Sequence, residues 1–352
     1  MLIKINMKII NFITVALIVA FFVSCSQNET TKNIESKITE TQQTDPLPAW
    51  NEGETKAAII NYVNDVTDSK SENFIDIADR IATFDNDGNL WSEQPNYFQG
   101  DFAINRIKEL APEHPEWKTE QPYKAVLEND MKELAKQGEQ GIVKLVLTSH
   151  AGNTSEEFQE IVKHWLQTAK HPTKNVLYTD LVYQPMLELI KYLQNNDFTT
   201  FVVSGGGIDF MRPWAESVYG IPKHQIIGSR IKTEFNYTDK KATIKRMPEV
   251  DFVNDKAGKP IAIHNLIGRR PIFSSGNSDG DLQMMQYTAS NPLKSFMLYV
   301  HHTDSVREWA YDRDSHIGKL DKGLDQANEE GWTIIDMAKD WKVIYPFELT
   351  EK

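Results

Sequence analysis

The stretch that decides the fold is Arg80-Ile81-Ala82-Thr83-Phe84-Asp85-Asn86-Asp87-Gly88-Asn89. Its first half is short, apolar and β-compatible, and its second half is an abrupt polar turn. Side chains two apart on a strand point the same way, so a strand tip with carboxylates at i and i+2 aims both in one direction. Gly88 lets the chain turn sharply behind them. Such a pair divides labour well, one carboxylate attacking an electrophile while the other carries a proton. The competing readings are an Asp-rich turn and a calcium loop. The calcium loop is set aside because no Glu stands at its final position.

Three more short apolar runs repeat the pattern. Phe198 to Val203 ends in Ser204-Gly205-Gly206-Gly207, and Arg270 to Phe273 runs into Ser274-Ser275-Gly276-Asn277-Ser278-Asp279. Ser295 to Val300 ends at His301-His302-Thr303-Asp304. Short apolar strands separated by helical patterns indicate an α/β fold with a parallel sheet. Open sheets of this kind place their ligands at the strand ends, where the polar residues fall here. Pro185 marks a first helical turn, followed by Met186, Leu189, Ile190 and Leu193 on one face. Thr154-Ser155-Glu156-Glu157 reads as a capping box ahead of the stripe Phe158, Ile161, Val162, Trp165 and Leu166. Ala103–Leu110 and Tyr123–Leu134 read as helices, so residues 92–178 form a mostly helical insertion. Ile226 to Arg246 reads as a hairpin around Asp239-Lys240, and Gly331 to Met337 as a tail packing back onto the body.

Three further motifs carry chemistry in combination. Ser204 and the amide of Gly205 offer donors for an anionic oxygen. Lys259, in Gly258-Lys259-Pro260, precedes a helical stretch from Ile261 to Leu266. Gly276-Asn277-Ser278-Asp279-Gly280-Asp281 offers hard oxygen ligands of the kind magnesium takes. Taken singly these are a Gly-rich turn, a solvated lysine and an acidic loop.

Their order and spacing resemble the haloacid dehalogenase superfamily, and within it the phosphoserine-phosphatase-like branch. That pattern is Asp-x-Asp-Gly after strand one, Ser or Thr after strand two, Lys before a helix, then Gly-Asp-x-x-x-Asp. The matching positions are Asp85 and Asp87, Ser204, Lys259, then Gly276, Asn277 and Asp281. The resemblance covers roughly residues 55 to 300. It implies a three-layer, Rossmann-like parallel sheet, with a core in 51–91 and 179–352 and a helical cap in 92–178. It also implies a Mg²⁺-dependent phosphatase working through an aspartyl-phosphate on a small phosphorylated substrate. Asp85 would be the nucleophile and Asp87 the acid and base. Asp85, Asp87, Asn277 and Asp281 would hold the metal, Asp87 through its backbone carbonyl. Ser204, Gly205 and Lys259 would hold the phosphoryl group.

One departure stands out. The family's first acidic residue in the last motif is Asn277 here, which can ligate through its amide oxygen but brings no charge; Asp279 could help through a water. Asp87 favours a phosphatase over a dehalogenase, because a halide needs no acid to leave, and a phosphomutase stands as a further alternative. Trp91, Glu93, Gln94 and Tyr97 follow the first motif and read equally as lining the cap entrance or as packing at its hinge, with Glu93 on the substrate side. Arg212 reads as a helix-surface residue. His301 and His302 point to opposite faces if both lie on a strand, so they would not share one ion. Arg307, Tyr311 and Arg313 are placed on a helix after that strand.

The 352 residues carry 38 Lys and Arg against 50 Asp and Glu, a net charge of −12. An acidic surface repels phosphate backbones, which argues against a nucleic-acid partner. One cysteine, Cys25, excludes an intrachain disulfide and a Cys-based zinc site. Residues 1–24 read as an export signal: Lys4 and Lys8, then an apolar run from Ile9 to Val23 that is short for a membrane span. Phe22-Val23-Ser24-Cys25 resembles a lipobox, which implies lipid anchoring at Cys25 in a bacterial envelope, on the periplasmic or outer-membrane side. Residues 25–50 read as a disordered tether. The rival from another class is a non-catalytic surface-binding lipoprotein on the same fold, with Asn277 as its best support.

Overall fold

A computed structural model describes residues 45–349. The expected export signal, the lipid site at Cys25 and the tether up to residue 44 lie outside the described residues. Among the described residues no helix is long and apolar enough to cross a membrane.

The stretch that opened the sequence forms β1 (Ile81–Phe84), whose four residues are all buried. It lies in the middle of the sheet, which explains its full burial; its one polar side chain, Thr83, is hydrogen-bonded to Ser274. The other strands are β2 (Thr199–Gly207), β3 (Ile226–Thr238), β4 (Lys241–Phe252), β5 (Phe273–Gly276), β6 (Phe296–Thr303), β7 (Ala310–Tyr311) and β8 (Thr333–Asp336). Their spatial order is β4-β3-β2-β1-β5-β6-β7, and β8 pairs with β6. The pairings β3–β2–β1–β5–β6–β8 are all parallel, whereas β3–β4 and β6–β7 are antiparallel. The fold is therefore α/β with a mostly parallel central sheet, as the sequence implied. The chain order reverses at β1, between β2 and β5, and the carboxyl ends of those strands open onto one crevice.

Two strands run further than their composition indicates. β2 continues through Ser204 to Gly207, and β5 begins at Phe273 and takes in Ser274, Ser275 and Gly276. Their intrinsic preference is poor, but Phe273 to Gly276 pair in register with Phe296 to Tyr299 of β6, and context outweighs propensity. The tail is built in as β8, with Thr333 to Asp336 beside Leu298 to His301. The hairpin reaches Phe252, with Asp239 and Lys240 at φ 52 and 61, the left-handed pair of a tight two-residue turn.

The insertion departs from expectation in detail. The capping box at Thr154 and Glu157 is present in full. Helix Phe98–Leu110 starts five residues earlier than Ala103. Tyr123–Leu134 is two helices, Tyr123–Leu127 and Met131–Lys136. Asn129 at φ 55 breaks the first, and the Asp130 side chain caps the second at the Glu133 amide. A further helix, Gly138–His150, packs beside β4. The insertion owns a small apolar cluster around Ile107, Trp117, Tyr123 and Leu145. Yet Phe98, Phe102, Phe158, Val162 and Leu166 belong to the main core with Trp91 and Phe210.

Three expectations are corrected. Residues 45–50, assigned to the tether, are part of the body: Leu47, Ala49 and Trp50 are buried, and Trp50 meets Trp341 edge to face at 6.1 Å. Arg307, Tyr311 and Arg313 are not on a helix. The Asp304 carboxylate accepts from the amides of Val306 and Arg307 and turns the chain there, and Tyr311 falls in β7. Lys259 does not precede its helix but is the second residue of helix Gly258–Leu266.

Candidate active site

The crevice at the ends of β1, β2 and β5 gathers side chains from distant segments. The Asp85 amide donates to the Ser275 carbonyl at 2.9 Å, which locks the β1 tip to the β5 tip. Asn89 bridges the same two strands: its Nδ2 donates to the Asp85 carbonyl, and its Oδ1 accepts from Ser275 Oγ at 2.7 Å. The turn after Asp85 is closed by the amides of Asn89, Leu90 and Trp91 on the Asn86 carbonyl. Gly88 has φ +72, and a Cβ there would run into Asn277 Nδ2 and the Glu93 carboxylate. No other residue suits that position.

Lys259 is the hub. Its side chain is almost fully buried, and Nζ donates to Asp85 Oδ1 at 2.5 Å, Asp281 Oδ1 at 2.6 Å and the Val203 carbonyl at 2.7 Å. Burial alone would lower the ammonium, but the Asp281 and Asp85 carboxylates outweigh it and hold the pKa raised. Asp85 is held above the usual carboxylate range: burial is the main cause, the Asp281 charge adds to it, and the Lys259 charge works against both. Asp87 also lies above its usual range because of burial. Its Oδ1 accepts from Trp91 Nε1 at 2.8 Å. A Cβ on Gly206 would lie 3.6 Å from Asp87 Oδ2, so that oxygen faces the glycine turn.

That turn is a bulge. β2 and β3 pair at Val203↔Ile227 and again at Gly207↔Ser229, and Ser204 to Gly206 fall out of register between. Bulges re-aim backbone and side chains next to sites. Ser204 Oγ accepts from the Gly206 amide at 3.0 Å, which leaves its own O–H to donate. Asn254 Nδ2 donates to the Ser204 carbonyl, and Asp255 lies against Gly205.

A cavity of roughly 400 Å³ opens over these groups, lined by Asp85, Asp87, Glu93, Tyr97, Gly205 and Lys259 among others. Ile142 and Val146 of the insertion and Val253 form an apolar side of it. Of the sequence-predicted residues, Asp85, Asp87, Glu93, Gly205, Lys259 and Asp281 line it, and Ser204 and Asn277 sit behind them, bonded to Gly206 and Glu93. The expected ligand set contracts, however. Asp281 Oδ1 is taken by Lys259, and Oδ2 accepts from the Asn277 amide and from the amide and hydroxyl of Ser278. Its carboxylate is spent on holding the turn. Asp279 is also committed elsewhere: Oδ1 accepts from the amides of Asp321 and Gly323. Among the described residues no three His, Cys, Asp or Glu side chains form a metal-holding group.

The donor set that fits a hard divalent ion is mixed. Asn277 Oδ1 is buried without a hydrogen-bond partner. An orphaned amide oxygen is costly unless something binds it. With the Asp85 carboxylate and the Asp87 carbonyl it makes an all-oxygen set that Mg²⁺ accepts.

Other expectations sort cleanly. Trp91 is buried and stacked on Trp214 at 4.3 Å, so it positions Asp87 rather than lining an entrance. Gln94 donates to the Ile317 carbonyl, while Glu93 and Tyr97 do reach the cavity. Arg212 donates to the Lys223 carbonyl, in the surface role expected. His301 meets Asp312, whereas buried His302 donates through Nε2 to the Gly88 carbonyl at 2.7 Å and stacks on Tyr311, so the pair diverges as alternation requires.

Sequence reasoning missed Gln99, His150, Asn254 and Asp255. Gln99 Oε1 accepts from the Gly207 amide at 2.7 Å, and its Nε2 donates to His150 Nε2 at 2.8 Å. His150 therefore carries its proton on Nδ1, facing Ser149 Oγ at 2.8 Å. Burial, with the Arg246 charge adding, pushes His150 down to about 3.

A strand-tip aspartate pair, a bulged serine turn and a helix-borne lysine around one crevice define a class: α/β hydrolases built around a strand-tip aspartate. The family model of haloacid dehalogenase-like hydrolases matches residues 82–286, and the chain belongs to that family. No curated protein matches. Among solved structures, a protein of unknown function from Bordetella pertussis Tohama I is similar at 14% identity and TM-score 0.44, over 73% of this chain and 98% of that one. A functionally unknown protein from Anaerococcus prevotii is similar at 16% identity and TM-score 0.48, over 82% and 94%. A phosphoserine phosphohydrolase-like protein from Francisella tularensis is similar at 16% identity and TM-score 0.35, over 63% and 87%.

Proposed function

We propose that the chain is a Mg²⁺-dependent phosphomonoesterase acting on a small phosphorylated metabolite through an aspartyl-phosphate. The observation that carries this reading is the meeting of Asp85, Asp87, Gly205 and Lys259 around one cavity, with Lys259 Nζ 2.5 Å from Asp85 Oδ1. An Asp85 oxygen attacks phosphorus in line, the ester P–O bond breaks, and its electron pair leaves on the substrate oxygen. Asp87, raised by burial and anchored by Trp91, gives that oxygen a proton. Asp87 then takes a proton from water as the water oxygen attacks phosphorus. The bond to Asp85 breaks, the carboxylate is restored and inorganic phosphate leaves. Ser204 and the Gly205 amide receive the phosphoryl oxygens, and Lys259 balances their charge.

Asp85, the Asp87 carbonyl and Asn277 Oδ1 would hold Mg²⁺. When bound, the ion supplies the positive charge that lets a carboxylate and a phosphate approach each other. The apolar side of the cavity at Ile142, Val146 and Val253 is where the leaving group would rest. The sequence ending at Cys25 supports delivery of this activity to the envelope on a lipid anchor. Incorporation of labelled palmitate, lost in Cys25→Ala, checks that part.

Release of p-nitrophenol from its phosphate, with and without Mg²⁺, tests the activity. Wild type should need the ion, and Asp85→Asn should be inert. Equal rates for the two proteins reject the reading and favour a non-catalytic binding protein on this fold.

A further inference from the structure

Where the family pattern carries an aspartate, Asn277 removes one formal charge beside the expected ion, and the fold brings a carboxylate to that residue from 184 positions away in sequence. We infer that Glu93 is the positioning residue of Asn277, holding the amide by its nitrogen so that its oxygen faces the expected ion, and that two residues do here what one aspartate does in the family pattern. The inference rests on the Mg²⁺-dependent reading above.

Asn277 Nδ2 donates to Glu93 Oε1 at 2.7 Å. That bond fixes which end of the amide faces which way: nitrogen to Glu93, and the partnerless, buried Oδ1 to the other side. A carboxylate pulling on the amide N–H makes its oxygen a stronger donor to a cation, as outer partners of metal ligands generally do. Glu93 is 1% exposed and is held on several sides. Tyr311 Oη donates to the same Oε1 at 2.8 Å. Gly88 and Gly318, at φ +72 and +67, approach so closely that a Cβ on either would collide with the Glu93 carboxylate. His302 supports both neighbours, donating to the Gly88 carbonyl and stacking on the Tyr311 ring at 4.3 Å. Asp279, the other acid of this turn, is engaged elsewhere, by two backbone amides of the 321–323 turn. A buried acid clamped this tightly against one amide is a built feature, and no apolar packing need accounts for it.

The test is Mg²⁺ binding by isothermal titration calorimetry, without substrate, on wild type, Glu93→Gln, Glu93→Leu, Asn277→Ala and the Glu93→Leu/Asn277→Ala double variant. Glu93→Leu removes the acceptor that fixes the amide and should bind about 10- to 100-fold more weakly than wild type. Glu93→Gln keeps an acceptor at the same place and should bind at least about threefold more tightly than Glu93→Leu. Once Asn277 is replaced there is no amide to orient, so the double variant should bind within about threefold of Asn277→Ala. Equal affinity of Glu93→Leu and wild type, or the full Glu93→Leu loss repeated on the Asn277→Ala background, overturns the inference while leaving Mg²⁺-dependent hydrolysis intact. If Glu93→Leu does not fold, Tyr311→Phe, which takes the second donor from the same Glu93 oxygen, replaces it with an expected loss of about threefold, and wild-type affinity there overturns the inference. Wild type that binds no Mg²⁺ overturns both.

Discussion

The strand tips and the helical insertion face the same cavity but are held by opposite means. At the tips of β1, β2 and β5 the contacts are polar, buried and mutually dependent: Lys259 joins Asp85 and Asp281, and Asn89 joins β1 to β5. Removing any member leaves a buried partner unsatisfied, so the arrangement is all or none. The segment 111–136 of the insertion is held mainly by one small apolar cluster around Trp117. Apolar contacts are individually tolerant and non-directional. The tips are therefore suited to fixing reacting atoms, and the insertion to varying what surrounds them.

The strongest way to break the comparison is Lys259→Met. It leaves two carboxylates buried at a site that held three charges. We expect a loss of about 3–5 kcal/mol in unfolding free energy, typical of a broken buried ion pair. On the function proposed above, phosphate-ester turnover should fall about 100- to 1,000-fold, the value of one charge-balancing donor. Urea denaturation and p-nitrophenyl phosphate turnover check both; near-wild-type stability would mean the cluster is not the unit described. Trp117→Ala should act on the other region alone. Trp117 is stacked between His114 and Tyr123 at 4.1 and 4.4 Å, and its removal should cost about 3 kcal/mol. Hydrogen exchange should rise across residues 111–136 while the strands stay protected, and KM should move more than kcat.

The two regions also differed in how much the sequence disclosed. Asp85, Asp87, Ser204, Lys259 and Asn277 were legible because each sits in a short motif at a strand end or helix start, where local chemistry carries the signal. Gln99, His150, Asn254 and Asp255 were not, because what they do depends on segments packed beside them from far along the chain. The Gly138–His150 helix was missed for a local reason: Gly138 and Gly141 weaken its propensity, and packing of Leu145 beside Ile107 and Trp117 supplies what propensity does not. The helix expected around Arg307 failed because Arg307 reaches the carbonyls of Met337 and Trp341 instead, which no local pattern records. Trp91 read equally as an entrance residue and as hinge packing; it is packed, and it also anchors Asp87. Trp91→Phe keeps the stack on Trp214 but drops the Nε1 donor. It should lower kcat about 10-fold with little change in melting temperature, the value of one bond to a charged acceptor.

The smallest effect lies at the seam between the regions. The Gly207 amide, Gln99, His150 and Ser149 form one hydrogen-bonded chain from β2 to the insertion, and it works only if His150 Nε2 is unprotonated. Arg246 reinforces this: its Nε donates to the His150 carbonyl, and its guanidinium, paired with Asp209, lies close enough to repel an imidazolium. In the unfolded chain His150 titrates near 6.5, whereas in the fold it titrates near 3. Between those values the unfolded state binds a proton the folded state refuses, so stability rises with pH there. The contribution is complete above about 6.5 and is lost as pH falls towards 3, at up to about 1.4 kcal/mol per pH unit. Unfolding free energies of wild type and His150→Gln at pH 7, 6 and 5 measure it as the difference in slope. Glutamine cannot titrate, so its curve should be shallower by about 1 kcal/mol per unit between pH 6 and 5. Parallel curves would mean that His150 accepts a proton in place, and that the seam is looser than the strand tips it joins.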